Sequence, residues 1–459
     1  MGLKREWWFL IVPLCTGALI GWLGLPGAAP VVALVFAGLC VREPAIALAW
    51  SFAIVPITVP QIDVGGLHVR PFEFVVLPAA IFALLSQMAW LRQASPEYWR
   101  PLRPIGIALT YLLTASLVFW GSTSALEIHM WAAAALVMLA VFAVGRDRRF
   151  QEQLLNALSV SAMLMCAVAL SQRLTGGPLF SGLTEPRDLI RMMLLHDSSP
   201  VRIANSTFGH SNAAGSYLTF LLTVLVTRIL TTKPSLTVRA GAIAALTGLY
   251  LSYSRGATLA AGAAMMLVFW DTQRERARKW IVGIAGVAVL GAAAAVIPVL
   301  LVSPYVVTVS LGLRALLWRA YARAWFESPL IGLGPGNAFQ EAQFLSPYGS
   351  QYGAHNNYLY VGADYGLIGL GLLVIALVIY VRRSRATASM APKDDKPWLV
   401  ATAAMILALG VHSFVDHTLT DLSYRVALLA MIGLVARLMS SQSQDELTTD
   451  VGELTNSRT

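Results

Sequence analysis

The sequence predicts an all-α polytopic membrane protein with about 12–14 transmembrane helices, and three observations lead there. Of 459 residues, 57% are hydrophobic and 12% charged; with a mean hydropathy of +0.66, no water-soluble domain sustains that balance over such a length. Apolar runs of about 16–25 residues recur from Trp7 to Met439, each near the length a helix needs to cross a hydrocarbon core of roughly 30 Å. Lys and Arg fall mainly in alternate short loops between those runs, the distribution that orients a membrane protein.

Lipid offers no partner to backbone N–H and C=O groups, so each run must be a helix or a strand of a closed barrel. The runs lack the alternation of barrel strands. In order, spans are expected near 7–25, 28–41, 44–59, 72–92, 104–120, 124–144, 153–172, 211–231, 237–253, 256–271, 281–303, 356–381, 397–414 and 421–438. The first follows Lys4 and Arg5 and resembles a signal peptide ending near Gly27-Ala28-Ala29, but its length and the span that follows at once favour a retained helix. Residues 1–440 thus read as one transmembrane helical domain, interrupted by long loops at 173–210 and 304–355. Residues 441–459, rich in Ser, Thr, Asp and Glu, are expected to form a disordered cytoplasmic tail. Cys15, Cys40 and Cys166 lie in apolar spans without paired spacing, which excludes a disulfide framework and a thiolate metal site.

The net charge of +9 does not imply a nucleic-acid partner, because the basic residues are distributed by loop. Alternate loops divide the 33 Lys and Arg into 23 and 10. The richer set holds Arg146, Arg148 and Arg149, then Arg274, Arg276, Arg278 and Lys279, then Arg382, Arg383 and Arg385, and both chain ends; it is assigned to the cytoplasm. The poorer set keeps company with all seven histidines, His68, His129, His196, His210, His355, His412 and His417, and with both long loops. Long loops on a rigid scaffold are where binding and catalysis tend to sit, so the working groups are expected on that outer face.

The loop 304–355 carries an amphipathic stretch in which Leu313, Leu316, Leu317, Ala320 and Ala324 share one helical face while Arg319 and Arg323 share another. It reads either as an interfacial anchor among membrane lipids or, with Arg314, as a cationic rim for a phosphate-bearing lipid. Gly332-Leu333-Gly334-Pro335-Gly336 is no dinucleotide loop, since no strand precedes it and Pro335 spoils the helix start; the glycines suit a tight, close-packed turn. His355-Asn356 then stands where loop meets membrane, and an imidazole there is either a helix cap or a general base. Arg255, in Tyr253-Ser254-Arg255-Gly256, interrupts apolar sequence between two spans, a costly placement that reads as functional or as a snorkelling turn residue.

Three segments together resemble the O-antigen ligase and polymerase superfamily of bacterial envelope glycosyltransferases. Arg202 to Asn212 is similar to the family's R-x-x-G-T-F-x-x-x-N signature, with one extra residue and Asn205-Ser206 where a glycine is usual. Ser254-Arg255-Gly256 resembles its S-R-G hairpin. The third and most specific runs from Trp318 through Pro329-Leu330-Ile331-Gly332-Leu333-Gly334 to His355-Asn356 and Tyr365-Gly366-Leu367-Ile368-Gly369. His412-Ser413-Phe414-Val415-Asp416 is similar to a weaker pattern.

The resemblance implies a multi-pass protein of the bacterial inner membrane with both termini cytoplasmic and a long periplasmic loop containing short amphipathic helices. Its implied partners are an undecaprenyl-diphosphate-linked polysaccharide donor and a lipid A-core acceptor. The large late loop favours an O-antigen ligase over the alternative, a polymerase joining carrier-linked repeat units. His355 is the expected catalytic base; Arg255, Arg202, Arg191, Arg314 and Arg319 are the expected diphosphate-binding residues, with Asn356, Asp416 and His412 in possible support. The activated donor calls for no cofactor. The carboxylates Glu185, Asp188, Asp197, Glu327 and Glu341 are scattered through the long loops, so no metal is expected. A transporter would need charged residues buried at mid-membrane and an internal repeat, and neither is visible in the sequence.

Overall fold

The computed structural model describes residues 35–58, 62–64, 67–119, 121–175, 206–208, 210–273, 304–345 and 353–456. They form an all-α polytopic membrane protein with one small hairpin. The helices are α1 (Pro44–Ser51), α2 (Glu73–Ser86), α3 (Met88–Gln93), α4 (Arg103–Val118), α5 (Ser122–Val144), α6 (Arg148–Thr175), α7 (Ser211–Thr231), α8 (Leu236–Ser252), α9 (Arg255–Thr272), α10 (Pro304–Glu327), α11 (Asn337–Leu345), α12 (Asn357–Met390), α13 (Lys396–His412) and α14 (Leu422–Asn456). Six stretches, Pro96–Val118, Thr123–Val144, Arg148–Leu174, Ser211–Thr231, Asn357–Met390 and Leu422–Ser440, are long and apolar enough to cross a membrane; α2, α8 and α13 are shorter apolar helices. The expected spans at 7–25 and 281–303, and the first half of 28–41, lie outside the described residues.

Several elements differ from the sequence reading. The span expected at 44–59 is an eight-residue helix followed by turns, because Pro56 cannot donate to a continuing helix. The chain then makes an antiparallel hairpin, β1 (Ile62–Val64) and β2 (Leu67–Val69), with Asp63 opposite His68. The amphipathic helix in the loop 304–355 is longer than expected, with 24 residues in α10. The described part of α14 runs on through 441–456. Its polar residues oppose burial rather than helix, and no proline interrupts the register.

Burial explains the arrangement. The apolar stretch of α14 is wholly enclosed; it packs along α5, with α13 beside it. On one flank α6, α8 and α7 form a layer, and α7 continues through α13 and α9. On the other, α12 packs on α4, α13 and α10. At the basic end, ion pairs join neighbouring elements: Arg148 with Asp395 (2.6 Å), Arg385 with Asp271 (2.8 Å) and Arg149 with Glu43 (3.2 Å).

The opposite end is shaped by a break in α12. Gly366 has φ 69° and ψ −175° inside an otherwise helical run of 34 residues. The orphaned backbone groups are taken by the loop between α10 and α11: Leu333 and Gly334 donate their N–H groups to the carbonyls of Ala363 (2.9 Å) and Asp364 (3.0 Å), while the N–H groups of Leu367 and Ile368 donate to Pro329 (2.8 Å) and Leu330 (3.1 Å). A broken helix in an apolar bundle is tolerated where protein satisfies its backbone, and here it does. A Cβ on Gly366 would collide with the Leu330 carbonyl. The expected close-packed glycine turn is thus the clamp on this break.

Candidate active site

Polar side chains at this end begin as helix caps. His210 Nδ1 accepts the Asn212 N–H (3.1 Å) at the start of α7, Ser254 Oγ accepts the Ala257 N–H (3.4 Å) at the start of α9, and Asn356 Oδ1 accepts the Leu359 N–H (3.0 Å) at the start of α12. Each satisfies a donor that a helix leaves orphaned. The Ser254 hydroxyl also donates to Asn212 Oδ1 (2.9 Å), tying the α8–α9 hairpin to α7.

The start of α12 is then zipped to the loop after α13. Asn357 donates its backbone N–H to the Ser413 carbonyl (2.9 Å) and its amide to Ser413 Oγ (2.8 Å) and Thr418 Oγ1 (3.2 Å), and its Oδ1 accepts the Leu419 N–H (3.1 Å). Asn356 donates to the Phe414 carbonyl (3.2 Å). This pairing carries His355 to Asp416: Nδ1 lies 3.0 Å from Oδ1, with the two side chains 12% and 7% exposed. His355 is held at φ 47°, a left-handed conformation that costs a histidine of order 1 kcal/mol and persists only where neighbours fix it. His417 supplies part of that constraint, since its Nδ1 accepts the His355 backbone N–H (3.1 Å).

The electrostatics follow. Burial would raise the Asp416 carboxyl, but hydrogen bonds from His355 and His417 overcome it and hold it well below the usual carboxylate range. Burial pushes the His355 imidazole down, against the Asp416 hydrogen bond that raises it, so the ring is neutral at pH 7. With Nδ1–H donating to an ionised carboxylate, the lone pair stands on Nε2. Burial lowers the half-buried Arg314 guanidinium, the Asp416 carboxylate raises it and the charge of Arg255 lowers it, so Arg314 feels both groups.

Three of the sequence-derived candidates, His355, Asn356 and Asp416, are therefore brought together by hydrogen bonds, Arg314 feels the charges of Asp416 and Arg255, and Arg255 itself is exposed at the start of α9. His412 sits beside them: Nδ1 is 3.0 Å from Ser216 Oγ, and Nε2 is buried next to Gly256 with no hydrogen-bond partner among the described residues. Arg319 is exposed on α10 and no described contact joins it to the group. Arg202 and Arg191 lie outside the described residues.

The sequence reading missed His417, whose signal was its place next to Asp416, and Arg173, which donates to Tyr253 Oη (3.3 Å) beside Arg255. It also missed a buried ionic network. Glu127 of α5 receives two bonds from Arg425 of α14 (2.8 and 2.9 Å) and one from the Tyr360 hydroxyl (2.8 Å). Arg425 Nε donates to the Leu419 carbonyl, and the guanidinium lies over the Trp131 ring at 4.1 Å. Charged residues are thus buried among the apolar spans after all, but paired, and close to the helix ends that face the site. Tyr360 follows His355 within α12 and Leu419 follows His417, so the network underpins both segments.

His355, Asp416 and His417 also present three ligand-type atoms within 4.8 Å of one another. No sequence spacing announces that group. Its chemistry suits either a divalent cation or an imidazole–carboxylate pair.

Fold and site define a polytopic helical membrane protein with a buried imidazole–carboxylate pair and arginines gathered at one end of the bundle. Residues 240–374, from α8 to the middle of α12, match the family described as O-Antigen ligase. Among curated proteins none matches the chain.

Proposed function

We propose that the protein is an O-antigen ligase of the bacterial inner membrane, transferring polysaccharide from undecaprenyl diphosphate to a sugar hydroxyl of lipid A-core at the periplasmic face. The observation that carries the reading is the His355–Asp416 pair beside Arg314 and Arg255. In this reading Nε2 of His355 takes the proton of the acceptor hydroxyl, whose oxygen bonds to the anomeric carbon as the bond from that carbon to the diphosphate oxygen breaks. A single displacement inverts that carbon. Undecaprenyl diphosphate leaves with the electron pair, and Arg314 and Arg255 stabilise its charge; removing one such preorganised donor costs about 3 kcal/mol, or roughly a hundredfold in rate. Arg202, Arg191 and Arg319 belong to the same proposal on the family resemblance, with both chain termini in the cytoplasm.

The pair is read as general-base machinery rather than a metal centre because Asp416 Oδ1 already accepts the His417 backbone N–H (2.9 Å) together with His355 Nδ1. Transfer is therefore expected to persist in EDTA; loss restored by a divalent cation would overturn that part.

The test of the function is the lipopolysaccharide of a deletion strain. Polymer absent from lipid A-core and accumulated on its carrier is the expected result. Core bearing a single repeat would instead make the protein a polymerase, and repeats trapped in the inner leaflet would make it a flippase.

A further inference from the structure

A second polar group occupies the same end of the bundle, around α2 and α5. His129 lies two residues beyond Glu127, so it leaves α5 on the opposite side from the Arg425 network. There the Glu73 carboxylate, 2% exposed, accepts the Arg70 backbone N–H at Oε1 (2.7 Å) and meets His129 Nε2 at Oε2 (2.5 Å). Both oxygens of that carboxylate are thereby engaged. The Arg70 side chain is not paired with it: Nε and Nη1 are shut off from solvent and have no hydrogen-bond partner among the described residues, while the residue as a whole is half-buried.

A guanidinium keeps its charge at any physiological pH, and burying its N–H groups without an acceptor is unfavourable. The group most suited to a guanidinium is a phosphate, and Nη2, which is not among the closed nitrogens, is the atom that can meet one. The helix α2, which begins three residues after Arg70, turns Phe74, Ile81, Phe82 and Leu85 outward, 55%, 45%, 39% and 58% exposed. An anionic head on Arg70 therefore has an apolar helix face along which its chains run.

We propose that Arg70 binds the phosphate of an anionic outer-leaflet phospholipid whose acyl chains lie along the exposed face of α2. This site stands apart from the His355 group and does not rest on the ligase reading.

The test uses the full-length chain in nanodiscs containing a photoreactive phosphatidylglycerol, with crosslinks mapped by peptide mass spectrometry. Crosslinks are expected across residues 74–85 in the wild type and equally in His355→Ala. They are expected to fall roughly tenfold in Arg70→Gln, the loss of one charge-assisted contact. A photoreactive diacylglycerol with the same chains and no phosphate is expected to label the wild type as weakly. Equal labelling of α2 in wild type and Arg70→Gln, or by the two probes, would overturn the proposal; if Arg70→Gln does not accumulate, the two-probe comparison decides. Displacement of the label by polyprenyl phosphate but not by phosphatidylglycerol would overturn the phospholipid assignment.

Discussion

His355 and Asp416, 61 residues apart in sequence, meet at 3.0 Å between Nδ1 and Oδ1. In the proposed mechanism the carboxylate fixes the ring's tautomer and supports the positive charge the ring would acquire on taking a proton. Asp416→Asn preserves shape and removes that charge. Polymer transfer is expected to fall by a hundredfold or more, the usual worth of general-base assistance, with the amount of protein in the membrane unchanged. Quantifying polymer on lipid A-core against immunoblotted protein checks it.

The pH dependence has a defined sign. The base must be neutral, and burial lowers its proton affinity, so the acid limb of the transfer rate is expected below the ordinary histidine value of about 6.5. The rate should be flat from there through neutrality and fall as His355 protonates. An acid limb above pH 7 in a single-turnover assay would contradict the assignment.

Glu127→Ala leaves Arg425 buried without its carboxylate. Breaking such a pair typically costs about 3–5 kcal/mol, so reduced accumulation and a lower detergent-solubilised melting temperature are expected. Because Arg425 also holds the Leu419 carbonyl, the surviving protein should show weakened transfer as well.

Gly366→Ala tests the clamp. The residue needs φ 69°, and its Cβ would meet the Leu330 carbonyl. Loss of folded protein is expected, with no comparable effect from Gly371→Ala, where a Cβ meets nothing within 4 Å. Thermal unfolding of the two variants in parallel decides it.

The fold class was legible because lipid imposes it: an apolar run of membrane length has few options beyond helix. The short helix at Pro44–Ser51 was less legible, since run length counts apolar residues and gives too little weight to Pro56. The break at Gly366 could be suspected from its glycine but not its partner, because the loop that satisfies it lies some thirty residues away. At the site, His355 and Arg255 stood out as polar residues at span ends. Glu127 and Arg425, 298 positions apart, did not: each is a lone charge in an apolar run, and only packing of α5 on α14 reveals the pair. His417 was overshadowed by Asp416, because adjacency in sequence says nothing about which backbone amide an imidazole will accept.

In the proposed mechanism the imidazole of His355 removes the acceptor proton. The most direct test of that step is a reconstituted transfer assay with purified His355→Ala, carrier-linked polymer and lipid A-core, at matched amounts of folded protein. Loss of polymer transfer with donor still bound is expected; transfer at the wild-type rate would mean that another group takes the proton.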